Sequence, residues 1–140
     1  MTLFVWSDMF SVGFSEIDAQ HQRLFSIGNN FHGEHSRGAT RGTMEKIFGE
    51  LIEYTRYHFD DEERILKKCG YPELPKHHLN HEKLVRLVQG YQKQLQAGTP
   101  GVEGQCMEFI KMWLNAHILG SDKQYSPYLI GSEQPAAAVS

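Results

Sequence analysis

The sequence has few of the features that mark whole classes of protein. It contains only two cysteines, Cys69 and Cys106, which form no spacing motif, so we expect two free thiols. The net charge is -3 and no block of Lys or Arg occurs, so there is no basic patch for a nucleic acid. No apolar run is long enough to cross a bilayer, and the N-terminus lacks the basic and apolar regions of a signal peptide. These absences predict a cytoplasmic protein that binds neither nucleic acid nor membrane.

Alternation of polar and apolar residues with period two is also scarce, so no sheet is predicted. Four amphipathic stretches cover most of the 140 residues, and short Gly-containing breaks separate them, which favours antiparallel neighbours. The prediction is an all-α protein, an up-down-up-down antiparallel four-helix bundle with an extended N-terminal arm. The helices are expected over 16–35, 41–68, 76–97 and 102–125, within one domain over 1–130 followed by a disordered tail over 131–140.

Histidine, by contrast, is abundant, with eight in 140 residues. When each helix is followed in alternating steps of four and three, the core-facing line carries ionisable residues where Leu or Ile is expected. The starts of the first and third helices share one end of the bundle with the finishes of the second and fourth, so these residues should fall in one layer. The layer comprises the core-facing His21, His58, Glu62, His77, His81 and His117, joined by Asp122, which comes late in the fourth helix at the same level.

A buried layer of five imidazoles and two carboxylates needs partners, because a buried unpaired charge is costly. A network of His–Asp and His–Glu hydrogen bonds is one interpretation, but it offers the carboxylates few donors, whereas bound metal satisfies all seven groups. Five imidazoles are too many for a tetrahedral structural zinc. Imidazole with carboxylate suits iron, although ligand type leaves manganese, zinc and copper open. Two six-coordinate irons that share the carboxylates and a bridging oxide or hydroxide would keep one position open for a small ligand.

The spacing of these residues within each helix supports a common site. The candidates on the second and third helices are pairs four residues apart, which lie on one helix face. His117 and Asp122 are five residues apart, which separates them by roughly 140° on an ideal helix. Their use in one site therefore predicts a carboxylate that approaches from another direction, or a loosened turn after Gly120.

Apolar side chains lie within about one helical turn of the candidate ligands. Each taken singly is ordinary core. Taken together they leave no acid or base beside the open position, which admits a nonpolar diatomic gas and favours reversible binding over turnover. These residues are Leu24, Phe59, Trp113, Leu114 and Ile118.

Four segments, in this order, resemble motifs of the hemerythrin family, in particular of its free-standing bacterial members. They are EIDAQHQRL around His21, YHFDDEE with His58 and Glu62, KHHLNHEKL with His77 and His81, and WLNAHILGSD with His117 and Asp122. Single pieces such as HxxxH are weak signals, but the ordered set is specific. The resemblance extends from Val5 to Tyr128, nearly the whole chain.

The resemblance implies a cofactor of two iron ions with a bridging oxide or hydroxide, and an oxygen pocket lined by the five apolar residues above. It also implies reversible binding of dioxygen for delivery, storage or sensing, and therefore a binding protein rather than an enzyme. The ligand sets that it implies are His77, His81 and His117 for one iron, His21 and His58 for the iron with the open position, and Glu62 and Asp122 as bridges.

Other functions stay open at this stage. They are a redox enzyme acting on nitric oxide or peroxide, an iron-handling repair protein, a sensor or interaction module, and a bundle that holds zinc or no metal. The expected partners are dioxygen, nitric oxide or other small anions, and a reductase or oxygen-consuming protein. Among the remaining polar residues, His78, Asp60, Asp61 and Glu63 are predicted to be solvated. Asp18 is expected either to accept a hydrogen bond behind the site or to place negative charge at a helix N-terminus.

Overall fold

The fold is a bundle of long helices, seen in a computed structural model that describes residues 4–132 and contains no strand in that range. The all-α prediction is confirmed. A short 3-10 helix, Asp8–Phe10, precedes the bundle. The α-helices are α1 (Ser15–Ser36), α2 (Arg41–Lys68), α3 (Leu74–Ala97), α4 (Val102–Ala116) and α5 (Lys123–Ser132), and a π-helical turn (His117–Asp122) joins α4 to α5.

The last helical stretch differs from its prediction. It was expected as one α-helix ending near Tyr125, but the structure continues it to Ser132 and interrupts it with the π-helical turn. The predicted tail over 131–140 lies outside the described residues from 133 onward. The other three helices begin and end within two residues of their predicted bounds.

Capping residues present in the sequence begin and end the helices beside the short connections. Thr40 caps α2, because its side-chain oxygen accepts a hydrogen bond from the backbone N–H of Thr43 at 3.2 Å. Gly98 ends α3 with φ of 72°, a left-handed conformation that glycine adopts without steric cost. The helices then pack in a ring, with α1 and α3 each lying between α2 and α4. This arrangement is the predicted antiparallel four-helix bundle.

The N-terminal arm is tied to α1 by polar contacts. Asp18 accepts hydrogen bonds from the Ser11 hydroxyl at 2.6 Å and from the Val12 backbone N–H at 2.9 Å. Asp18 lies in the first turn of α1, so the expected negative charge at a helix N-terminus is confirmed, and its carboxylate also anchors the arm. Farther along the arm, the Phe4 backbone N–H donates to the Asn29 side-chain oxygen at 2.7 Å.

The buried core consists of two apolar clusters with a polar layer between them. The larger cluster fills most of the bundle, and the smaller one includes Ile17, Ile65 and Tyr125 at one end. Along α1, for example, Ile17 belongs to the small cluster and Leu24 to the large one, and the stretch between them carries a buried histidine. Within the described residues, no helix has the length and apolar character needed to cross a membrane.

Candidate metal centre

All seven residues singled out from the sequence lie in this polar layer. None of them is more than 5% exposed, and four of the seven are completely buried. Their side-chain nitrogen and oxygen atoms form two groups, each with four atoms that lie within 4.8 Å of one another. The first group contains Glu62, His77, His81 and His117, and the second contains His21, His58, Glu62 and Asp122. The structure thus brings together all the residues that the sequence predicted to share a site.

Glu62 spans the two groups with its two carboxylate oxygens. Its Oε1 lies 2.8 Å from Nε2 of His77 and 2.9 Å from Nε2 of His81. Its Oε2 lies 3.6 Å from Nε2 of His21 and 3.4 Å from Nε2 of His58. One oxygen therefore faces each group of imidazoles, which is the arrangement that a bridging carboxylate requires.

Asp122 spans the groups in the same way. Its Oδ1 lies 3.3 Å from Nε2 of His77 and 3.2 Å from Nε2 of His117, while its Oδ2 lies 2.9 Å from Nε2 of His21. The two carboxylates together connect three imidazoles on one side with two on the other. This is the same division that the family resemblance implies.

The π-helical turn explains how residues five apart can share this site. His117 begins the turn and Asp122 ends it. In a π-helix the backbone bonds run from residue i to i+5, so residues five apart come close to the same face. A loosened turn was one of the two predicted solutions, and the structure adopts it. The widening begins at His117, earlier than the position after Gly120 that the sequence suggested.

Several of the atoms that face the interior of the layer lack hydrogen-bond partners. Within residues 4–132, several fully buried atoms lie close to charged neighbours without the alignment of a hydrogen bond. Such atoms are rare in native proteins and call for an explanation, and an ion between them is one. The atoms are Nε2 of His21, His58, His81 and His117 and both carboxylate oxygens of Asp122. This donor set, imidazole nitrogen with carboxylate oxygen and no thiolate, fits iron.

The electrostatics of the carboxylates are set by the imidazoles around them. Burial alone would raise the pKa of Glu62, but the neighbouring imidazoles, His58 foremost, hold this pKa well below its usual value. Burial and the charge of Glu62 would also raise the pKa of Asp122, yet His117 and its neighbours lower it. Both carboxylates therefore stay ionised, as metal ligands must be.

Burial and the two carboxylates shift the pKa values of several of these imidazoles in opposite directions. Burial alone would lower the pKa of His21 and of His77, but the carboxylates of Asp122 and Glu62 outweigh it and raise these values to about 9 and about 10. Burial lowers the pKa of His117 to about 4. Protons thus partly occupy the layer, and a bound cation would displace them while satisfying the neutral imidazoles as well.

Three further residues contact the candidate ligands, and the sequence did not point to them. Gln20 accepts a hydrogen bond from Nδ1–H of His58 at 2.6 Å. The Tyr125 hydroxyl donates to Oε2 of Glu62 at 2.6 Å. Tyr125 lies three residues beyond Asp122, and this helical spacing is the signal that could have identified it.

The third residue, Glu63, corrects a prediction. Its face on α2 suggested a solvated side chain, but its Oε2 accepts a hydrogen bond from Nδ1–H of His81 at 2.6 Å, and its Oε1 lies 2.7 Å from Nδ1 of His78. The side chain is only 22% exposed. The prediction was wrong because the partner comes from α3, and a face on one helix does not show what the next helix contributes.

The other residues predicted to be solvated give a mixed result. Asp60 and His78 are exposed, as predicted. Asp61 is half-buried, because it accepts hydrogen bonds from the Gln20 amide at 2.6 Å and from Arg64. Asp61 therefore belongs to the support of the site, although it does not touch the layer itself.

The five apolar residues predicted to line an oxygen pocket are all buried, at 3% exposure or less, and belong to the larger cluster. Phe59 stacks on the ring of His81, with 3.7 Å between ring centroids and planes only 3° apart. The ring centroid of Trp113 lies 6.3 Å from that of Phe59 and 6.5 Å from that of His117. Leu24, Leu114 and Ile118 complete this part of the cluster. The polar layer is therefore bordered by apolar surface on the side of the larger cluster.

Comparison with known proteins agrees with this geometry. Residues 12–129 match the family model of the hemerythrin HHE cation binding domain. A bacteriohemerythrin of Methylococcus capsulatus (strain ATCC 33009 / NCIMB 11132 / Bath) is 34% identical over 132 residues, which cover 92% of this chain and 98% of that protein. A bacteriohemerythrin of Stenotrophomonas maltophilia (strain R551-3) is 31% identical over 126 residues, covering 90% of this chain and 81% of that protein.

A relative from another organism and a solved structure give the same result. A myohemerythrin of Riftia pachyptila is 30% identical over 122 residues, which cover 87% of this chain and 90% of that protein. A crystal structure of wild-type hemerythrin superposes with a TM-score of 0.83 at 32% identity, covering 91% of this chain and 98% of the other. Sequence and fold thus point to one family over nearly the whole described chain.

Proposed function

The chain belongs to the hemerythrin family, and from that premise we propose that it binds dioxygen reversibly at a non-haem diiron centre. The observation that carries this proposal is the pair of four-atom donor groups that share Glu62. Two groups with a shared carboxylate suit two metal ions close together, whereas a single ion would leave several of the buried atoms without a partner.

Each ligand candidate has a definite role in this proposal. His77, His81 and His117 would hold one iron and His21 and His58 the other, and Glu62 and Asp122 would be shared between them. The second iron would have one imidazole fewer, and the open position for a gas is assigned to it in this proposal. When bound, the iron pair supplies the reversible redox chemistry that dioxygen binding needs. The chain supplies the orientation of the ligands and the surroundings of the open position.

The surroundings favour binding over turnover. Apart from the seven ligand candidates, the buried polar residues in the described part of the chain are Gln20 and Thr55. Neither is an acid or a base at neutral pH. Tyr125 is buried too, but burial raises its pKa well above the usual value, and its hydroxyl already donates to Glu62. Within the described residues, none of these buried side chains is an acid or a base at neutral pH, which favours release of the gas over its reduction.

The test is a visible absorption spectrum of the iron-loaded protein, reduced without oxygen and recorded before oxygen, after oxygen and after degassing. Reversible binding predicts a charge-transfer band that appears with oxygen and disappears when the gas is removed. A spectrum that goes directly to a stable oxidised form, unaffected by degassing, would contradict reversible binding. Metal analysis of the same sample checks the iron content, since the proposal requires about two irons per chain.

A further inference from the structure

Two candidate ligands, His58 and His81, are each hydrogen-bonded on the side away from the proposed metal centre, on which the following proposal rests. Gln20 connects His58 to Asp61 through two hydrogen bonds of 2.6 Å. The carboxylate of Asp61 can only accept, so the Gln20 amide nitrogen must face it and the Gln20 amide oxygen must face His58. That oxygen can also only accept, so Nδ1 of His58 carries the proton. The lone pair of His58 is therefore on Nε2, which faces the centre.

Glu63 performs the same task for His81 with different chemistry. Its Oε2 lies 2.6 Å from Nδ1 of His81, and because an ionised carboxylate only accepts, this nitrogen also carries its proton. Nε2 of His81 then presents its lone pair to the centre, 2.9 Å from Oε1 of Glu62. Both Glu63 and Gln20 therefore fix the tautomer and the ring orientation of one ligand.

The two side chains behind these ligands, Glu63 and Gln20, differ by a full negative charge. His81 belongs to the group with three imidazoles and has a carboxylate behind it, whereas His58 belongs to the group with two imidazoles and has a neutral amide behind it. A carboxylate that accepts the distal N–H of a ligating histidine raises the basicity of that ligand. The ring becomes a stronger donor, and the metal that it binds is stabilised more in its higher charge state.

The contact of Glu63 with His78 does not remove this difference. Oε1 of Glu63 contacts His78, whose side chain is 51% exposed, so solvent screens whatever charge the His78 ring carries. The contact between Glu63 and His81 is on the buried side, since the His81 side chain is only 3% exposed. The carboxylate therefore acts on His81 with less screening than His78 acts on the carboxylate.

We propose that Glu63 is a positioning residue that lowers the reduction potential of the centre through His81, and that Gln20 positions His58 without that effect. The two metal positions thus differ in the charge behind their ligands as well as in the number of imidazoles. The three-imidazole position is the better site for a ferric ion. The two-imidazole position, to which the proposed function assigns the open coordination site, would be held by a less basic ligand set.

The test compares three variants of the iron-loaded full chain. Glu63→Gln removes the charge but keeps an amide oxygen that can accept from His81. Gln20→Glu combined with Asp61→Asn places a charge behind His58 and keeps the donor for it, since the asparagine amide replaces the one lost from Gln20. Glu82→Gln is the matched control, because Glu82 is exposed and pairs with His78 rather than with His81.

Two readouts separate tuning from a structural effect. In a mediated potentiometric titration, Glu63→Gln should lower the oxidised-to-reduced ratio at a fixed ambient potential about tenfold, which is about 59 mV for a one-electron couple. The Gln20 and Asp61 double variant should shift the ratio in the opposite direction. Iron release to a chelator should accelerate about 10- to 100-fold in Glu63→Gln. The control should match the unmodified protein in both assays.

The inference is overturned if Glu63→Gln and Glu82→Gln are indistinguishable in potential and in release rate. It is also overturned if the double variant raises the potential as Glu63→Gln does. A loss of packing would shift the reduction potential in the same direction in both variants, whereas the two changes of charge should shift it in opposite directions. Circular dichroism verifies that each variant is folded. Chelator release of zinc from the same variants tests the effect of Glu63 on His81 as a ligand without iron. If the protein holds another metal instead of iron, the proposed function is contradicted, but the zinc measurement still tests the role of Glu63.

Discussion

Glu62 is the residue on which both halves of the centre depend. Its Oε1 faces His77 and His81, and its Oε2 faces His21 and His58. Replacement by alanine removes the anionic bridge and leaves four imidazoles with one carboxylate fewer to offset the metal charge. We therefore expect Glu62→Ala to fall from about two irons per chain to one or none.

The matched comparison is His78→Ala, which removes an imidazole adjacent in sequence to a candidate ligand. The His78 side chain is half exposed and faces Glu63 and Glu82 instead of the centre. Its removal should leave the iron content unchanged. Metal analysis of both variants after gel filtration, with helicity checked by circular dichroism, makes the comparison. Equal loss of iron in the two would contradict the assignment of Glu62 as a bridge.

Thr55 gives a second prediction at the scale of one residue. It is 1% exposed, and its hydroxyl has no hydrogen-bond partner within residues 4–132. An unsatisfied buried hydroxyl costs about 1–3 kcal/mol. Thr55→Val keeps the shape and should raise the free energy of unfolding of the metal-free protein by about 1 kcal/mol, measured by urea denaturation. A loss of stability would mean that the hydroxyl has a partner, such as a buried water.

The candidate ligands could be predicted from sequence, but two of their supports, Glu63 and Gln20, could not. His58 and Glu62 interrupt the apolar face of α2 at helical spacing, and this interruption is visible in one helix alone. Glu63 points off that face, and its contact with His81 depends on how α3 is placed against α2. Gln20 is an ordinary polar residue on α1 until its neighbour on α2 is known. These roles depend on contacts between helices, and the periodicity of residues within a single helix cannot reveal such contacts.

At the scale of elements, the π-helical turn is the least predictable feature and one of the most important for the centre. An α-helical turn would separate His117 and Asp122 by roughly 140°. The wide turn brings both to the same site, and the helix then resumes in α5. The five-residue spacing indicated that regular α-helix was unsuitable. It did not indicate where the widening begins, because hydrogen bonding of the turn depends on the packing of both flanking helices.

Two helical glycines give a matched prediction about element packing. A Cβ at Gly28 in α1 would lie 2.8 Å from Cε2 and 3.1 Å from Cδ2 of the Phe4 ring, whereas a Cβ at Gly90 in α3 would meet no atom within 4 Å. Gly90→Ala should therefore stabilise the protein by about 0.5–1 kcal/mol, since alanine is the better helix former. Gly28→Ala should destabilise it by about 1–3 kcal/mol, because the N-terminal arm must shift.

Thermal and urea denaturation of the two variants check this prediction. Phe4→Leu combined with Gly28→Ala is the control, because the smaller side chain makes room for the new methyl group. The combination should recover part of the stability lost in Gly28→Ala. A Gly28→Ala variant as stable as Gly90→Ala would show that the arm does not pack on α1 as described.

At the scale of the whole molecule, the polar layer connects stability to metal binding. Two apolar clusters hold the helices on either side of it, so the fold does not depend on the layer alone. Within the layer, like charges and buried neutral imidazoles persist because the clusters position them. A bound cation would offset the carboxylates directly, so metal binding should stabilise the folded state.

The metal-free protein should therefore be most stable near the ordinary histidine pKa of about 6.5. Above that pH the folded state keeps protons on His21 and His77, with pKa values of about 9 and about 10, while the unfolded chain has lost them. Stability then falls as pH rises toward 9 to 10, by about 1.4 kcal/mol per pH unit for each group. Below 6.5 the unfolded chain gains a proton that folded His117, with a pKa of about 4, does not take, so stability also falls toward acid.

Metal loading should remove the alkaline decline and retain the acid one. Ligation requires His21 and His77 without their protons, so the folded, loaded protein has no proton on these two residues to lose between pH 6.5 and 9. For the same reason, loading near pH 7 should release about two protons. Urea denaturation of both forms at several pH values, with proton release followed by calorimetry in buffers of different ionisation enthalpy, measures these effects. A metal-free protein of constant stability from pH 6.5 to 9 would mean that His21 and His77 are already neutral in the fold, and loading would then release no protons.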